Sequence, residues 1–212
     1  MCPEVFEIVQ KMDISSVETR LALQCAPVIT GIKQANLLIV SSEDERFVGE
    51  VLRETGIQYF CLYRKKKKCI YFVFRIKEFE AYMQKKEVAQ VLIRLGYKDL
   101  SIKEVITAFQ KRYEAYMQHD SCFPHEIGLL LGYPIEDVEG FIANKGKNYL
   151  YAGYWKVYEN VEEKKLLFEA YESAKDGVLL LVANGYKMKS IIRGIQSSKN
   201  PKDWMQTIKK QK

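Results

Sequence analysis

His119, Cys122 and His125 recur at intervals of three and include both histidines of the chain. A thiol flanked by imidazoles suits nucleophilic catalysis, with imidazole as the base and thiolate as the attacking group. Pro124 disfavours helix at Phe123, so the pattern predicts that one helix ends near His119 and another starts between Ser121 and Pro124. Cys122 would then lie near a helix N-terminus, and that position favours the thiolate, as do the imidazoles. The structural alternative is that Cys122 is a small buried apolar residue and His125 a cap or packing group. A metal is not expected here. Three side chains around a proline turn converge poorly, and no second Cys/His pair completes a zinc shell.

The residues that follow suit binding better than catalysis. Asn144-Lys145-Gly146-Lys147-Asn148 is a polar loop that could cradle a carboxylate or phosphate. From Tyr149 to Tyr158 the residues alternate as in one strand: Tyr149, Tyr151, Gly153, Trp155 and Val157 on one face, Leu150, Ala152, Tyr154, Lys156 and Tyr158 on the other. Lys156 between two tyrosines points to a pocket for a planar or anionic ligand, and Gly153 permits close approach to the backbone. Glu126, Lys145, Lys147, Tyr154 and Lys156 are therefore the ligand-binding candidates. His119, Cys122 and His125 are the catalytic ones, and the sequence specifies no cofactor.

Those residues need elements to hold them. Ser15 three before Glu18 reads as a capping box that opens a helix, with Leu21, Ala22, Cys25 and Ala26 on its apolar stripe and Pro27 as its limit. Residues 35–40 read as a buried strand, and Glu43 to Glu54 as a helix capped by Ser41 or Ser42 and stopped at Gly56. Gln58 to Tyr63 and Cys69 to Phe74 form a hairpin around Arg64-Lys65-Lys66-Lys67-Lys68. A symmetric turn opposes Arg64 to Cys69 and Cys61 to Phe72, which puts Cys61 and Cys69 on opposite faces and forbids a bridge. The lysines of this turn are a solvated run or, more sharply, a contact for an anion.

Helical patterning covers Ile76 to Gln118, Val161 to Ala183 (with Leu166, Leu167, Ala170, Tyr171 and Ala174 on one side and a break at Gly177) and Lys187 to Gln196. Leu95-Gly96-Tyr97, Leu131-Gly132-Tyr133 and Asn184-Gly185-Tyr186 each close one helix and precede another, because glycine reaches the left-handed conformation that ends a helix. Glu126–Leu131 and Pro134–Ala143 form a helix-turn-helix whose second helix opens with Glu136, Asp137 and Glu139. Those acids would repel phosphates, so it reads DNA poorly. Residues 178–212, with Lys187, Lys189 and Arg193, are the better nucleic-acid candidate.

The net charge of +6 is local: Arg64–Lys68 carries +5 and Lys199–Lys212 carries +4, which leaves −3 for the rest of the 212 residues. A broad basic face is not indicated. No apolar run reaches the roughly 18 residues of a membrane span, and the N-terminus lacks a signal peptide. Five irregularly spaced cysteines without a Cys-x-x-Cys suit a reduced, cytoplasmic protein.

Pro124-His125-Glu126-Ile127-Gly128, Leu131-Gly132-Tyr133-Pro134, Asp137-Val138, Gly140-Phe141-Ile142, and Asn144 to Asn148 through Gly153-Tyr154-Trp155-Lys156-Val157-Tyr158 together resemble the bacterial family of unknown function DUF3793. The resemblance implies no activity, cofactor or catalytic residue. The expectation is a single α+β domain over residues 1–198, with one small mixed sheet containing a β-hairpin among more numerous helices, and a basic mobile tail over 199–212. Its best-supported function is binding of a small acidic or phosphorylated ligand at 119–158. A thiol-dependent enzyme using Cys122 is the second expectation and a nucleic-acid-binding regulator the third.

Overall fold

A computed structural model describes residues 2–198. The basic tail lies outside the described residues. The fold is α+β: ten α-helices, a three-stranded antiparallel sheet and a separate two-stranded one among the described residues. The chain divides into two compact units. One comprises the residues up to Arg75 and those from Ala170 onward, and the other spans Ile76 to Glu169.

In the first unit, α1 (Pro3–Val9) and α2 (Val17–Ile29) precede β1 (Ala35–Ser41). The cap of α2 is Ser16, whose hydroxyl accepts from the Thr19 amide, while Ser15 instead donates to Asp13. The capping serine is thus one residue later than expected. Pro27 does not end α2; the helix runs on to Ile29, and Gly31 at φ 82° turns the chain. A 3-10 turn (Ser42–Asp44) leads into α3 (Glu45–Leu52), with Ser41 capping the turn as expected.

Strands β2 (Ile57–Lys65) and β3 (Lys68–Arg75) form the predicted hairpin, and β1 pairs with the other edge of β3 to give the order β1-β3-β2. Arg64 opposes Cys69 as expected, but Cys61 opposes Tyr71, because a bulge at Leu62 shifts the register by one residue. An extra residue in one strand reverses the facing of everything beyond it. Cys61 therefore shares a face with Cys69, against expectation. The two are diagonal rather than opposed, and no disulfide joins them. The Lys65–Lys68 side chains are exposed, and Ser42 pins the turn by donating to the Lys66 and Lys67 carbonyls.

The buried cluster of this unit is almost wholly aliphatic. Leu21, Ala26, Ile29, Leu38, Val48, Leu52 and Val73 meet Val178, Leu179, Ile191 and Ile192 of α9 (Val161–Ala183) and α10 (Met188–Ser197). Helix α9 passes unbroken through Gly177, because that glycine is buried among these apolar side chains rather than placed at a turn. The apolar stripe also differs from the expected one: Phe168, Tyr171, Ala174 and Val178 are buried, whereas Leu166 and Ala170 are exposed.

The second unit holds α4 (Ile76–Met83), α5 (Lys86–Arg94), α6 (Ile102–Met117), α7 (Ile127–Leu130), α8 (Ile135–Ala143) and the start of α9. Residues 149–158 do not form one strand of the main sheet. They fold back as β4 (Tyr151–Ala152) and β5 (Lys156–Val157), with Ala152 opposite Lys156. All three glycine–tyrosine corners form as expected. Gly96, Gly132 and Gly185 have φ of 88°, 76° and 82°, and the following tyrosine amides reach back to Leu92, Gly128 and Leu181. This is the double hydrogen bond of a left-handed helix stop.

Candidate functional site

The second unit buries rings among its aliphatic side chains. Phe79, Tyr97, Phe109, Tyr113, Trp155 and Phe168 are all buried there. Its organising polar residue is Asp137, in the first turn of α8 and 2% exposed. The Asp137 carboxylate accepts from the Trp155 indole N–H at 2.6 Å, from the Tyr158 amide at 2.7 Å and from the Glu159 amide at 3.4 Å. A buried tryptophan needs an acceptor for its N–H, and a buried carboxylate needs donors. Each supplies the other, so the 151–157 hairpin is locked onto α8. Lys164 adds a second tie, donating to Glu136 at 2.8 Å. Burial pushes the Glu136 pKa up, but the Lys164 hydrogen bond, a backbone hydrogen bond and the Lys164 charge together outweigh it and lower the value.

Two glycines allow the approach. A side chain at Gly140 would overlap the Tyr158 ring, and one at Gly153 would overlap Phe168. The expected close approach at Gly153 is therefore that of a packed phenylalanine.

This assembly encloses a cleft of about 340 Å³. Six of its twelve lining residues carry rings: Phe123, His125, Tyr133, Phe141, Tyr154 and Trp155. Tyr133 and Trp155 stack at 4.7 Å, and His125 contacts Phe141 at 5.6 Å and Phe123 at 5.5 Å. The charged lining groups are Asp137 and Lys156. The Lys156 ammonium donates to the Gly146 carbonyl at 2.6 Å and lies 4.8 Å above the Tyr149 ring. The His125 Nδ1 is buried in this wall without a hydrogen-bond partner. Such an atom costs on the order of 1–3 kcal/mol when left unpaired.

Of the eight candidates named from the sequence, His125, Tyr154 and Lys156 line the cleft. His119 and Cys122 are exposed and do not. Cys122 is not at a helix start, because α7 begins only at Ile127. Glu126 faces elsewhere: 4% exposed, its carboxylate accepts from Arg112 at 2.9 Å and from the Tyr97 hydroxyl at 3.2 Å. Burial, and then the Glu126 charge, push the Tyr97 hydroxyl pKa up. Lys145 and Lys147 are exposed on the 144–148 loop. The loop amides at Lys145, Gly146 and Lys147 already donate to Ile142, Phe141 and Asn144, so they are not presented to an anion. Among the described residues no three His, Cys, Asp or Glu side chains are grouped to hold a metal ion.

Asp137 and Phe141 are the groups that sequence reasoning missed. A tryptophan N–H in want of an acceptor was the available signal for Asp137.

Lys187, Lys189 and Arg193 of the other candidate region are engaged within the first unit. Lys189 and Arg193 each lie 3.0 Å from Glu54, and Lys187 lies 3.9 Å from Glu18. No helix among the described residues is long and apolar enough to cross a membrane.

The model of the family DUF3793, described as a protein of unknown function, matches residues 21–192. The chain belongs to that family. No curated protein and no solved structure matches it. The matched span of the DUF3793 member takes in the cleft, the Asp137 lock and all three glycine–tyrosine corners.

Proposed function

We propose that this protein is a cytoplasmic binding protein for a small acidic molecule held in the ring-lined cleft of the second unit. The observation that carries the reading is the meeting of Lys156, Tyr154 and the His125 ring in the wall of one mostly apolar hollow. A mostly apolar cavity with a few convergent polar groups is the usual form of a small-molecule site. Burial in low dielectric strengthens the attraction between Lys156 and an acid.

The test is native mass spectrometry of the full-length protein, purified without additives and then exposed to a mixture of small carboxylates and phosphate esters. A bound small molecule in the wild type, depleted in Lys156→Met and His125→Phe, supports the reading. Bare protein throughout, with no rise in melting temperature, overturns it.

A second reading, thiol-dependent chemistry, is favoured by the exposure of Cys122 beside Phe123, which lines the cleft. Its measure is alkylation by iodoacetamide. A Cys122 that reacts no faster than a free cysteine peptide removes this reading.

A further inference from the structure

We infer that the ligand is a small aromatic monocarboxylate. This rests on the binding reading above and narrows it, setting the phosphorylated class aside. The first ground is shape. Tyr133 and Trp155 stack with planes inclined by 24°, and their rings line the cleft together with those of Phe123, His125, Phe141 and Tyr154. Rigid ring faces are met best by another flat ring, in offset or edge contact. An aliphatic chain would leave part of those faces untouched.

The second ground is charge. Lys156 is the one lysine or arginine in the lining and Asp137 the one acid. Asp137 is saturated by the Trp155, Tyr158 and Glu159 N–H groups, so it acts as a fixed negative charge rather than a free acceptor. A monoanion meets one cation. A phosphate dianion would meet the same single cation with a buried carboxylate in the wall. The 144–148 amides, which would otherwise serve a phosphate, are spent on local carbonyls.

The third ground is hydrogen bonding and size. An ammonium has three N–H donors, and Lys156 uses one on Gly146. Its remaining two donors suit the two oxygens of a carboxylate. The volume of about 340 Å³ is at the small end for ligand sites, enough for one or two fused rings.

Calorimetric titration of the full-length protein with naphthoate, naphthamide, cyclohexanecarboxylate and phenyl phosphate tests this. Naphthoate is expected to bind about tenfold or more tightly than each of the others, and Lys156→Met to weaken naphthoate about tenfold while sparing naphthamide. Equal affinity for cyclohexanecarboxylate removes the aromatic requirement, equal affinity for naphthamide removes the acid, and tighter phenyl phosphate removes the monoanion. Each of these overturns the inference. No binding by any of the four, with a small molecule still seen by native mass spectrometry, overturns the inference and leaves the binding reading standing. Failure of both experiments removes both.

Discussion

The two units place their buried rings differently. In the first, an aliphatic cluster holds a single ring, Tyr71, while Tyr63, Phe72, Phe74 and Tyr171 are buried outside it. In the second, buried rings and aliphatic side chains are mixed, and ring-bearing residues make up half the wall of a cleft. Branched aliphatic chains change rotamer and volume in small steps and can fill a space closely. Rings are large rigid plates, and plates that meet edge to face leave gaps between them. The cleft lies in the second unit, where Asp137, hydrogen-bonded to Trp155 and Tyr158, is part of its wall. The first unit has unpartnered buried polar atoms too, on Arg20, Gln34 and Asp176, but none of these lines the cleft.

The largest expected effect is at Asp137. Asp137→Asn replaces one acceptor oxygen by a donor that faces N–H groups. It is expected to destabilise the protein by about 3–5 kcal/mol, from the loss of charged hydrogen bonds and an orphaned buried donor. Urea denaturation followed by tryptophan fluorescence measures it. A loss below about 1 kcal/mol would mean that ring packing alone keeps the cleft open.

Next comes Arg112→Met, which leaves the buried Glu126 carboxylate with only the Tyr97 hydroxyl. The expected loss is about 3 kcal/mol by the same assay, with naphthoate affinity retained because Glu126 does not line the cleft. Affinity that falls in parallel with stability would tie this strut to the site after all.

The smallest effect belongs to the first unit. Lys33 is 5% exposed and donates to Asn36 at 3.2 Å, and burial lowers its pKa to about 8 from an ordinary 10.5. Between those values the unfolded chain holds the proton and the folded one has lost it, so stability rises with pH above about 8. Burial pushes the Cys25 thiol up from 9.0 to about 12, so that group makes stability fall above pH 9. The net rise is therefore confined to pH 8–9 and is on the order of 1 kcal/mol. Lys33→Met is expected to flatten it, and Cys25→Ala to extend it toward higher pH. Denaturation midpoints across that range check both.

What could be read in the sequence was local. Each glycine–tyrosine corner is specified by two adjacent residues and a preceding apolar run, and all three formed. The hairpin and its turn followed from β-branched and aromatic runs on either side of charged residues. The errors came from interactions that skip along the chain. The bulge at Leu62 has no sequence mark, because burying that leucine, which is 0% exposed, needs only an apolar side chain there. The alternation from Tyr149 to Tyr158 continues through a reversal of direction, so period alone read two short strands as one. Asp137 looked like an ordinary acid in a first helical turn, where the dipole favours it. Its partner Trp155 is 18 residues away. The candidate site was legible in outline, since three of its named residues line the cleft. Which other polar groups were already committed, as Glu126 is, depends on partners that spacing does not reveal.

The second unit enters the chain without slack. Strand β3 ends at Arg75 and α4 starts at Ile76, and the return passes through the middle of α9 between Glu169 and Ala170. Neither junction offers a spare residue at which a shortened clone could begin or a protease could nick harmlessly. The piece that carries the cleft cannot be excised as a cassette, nor swapped between proteins, without sawing through a helix.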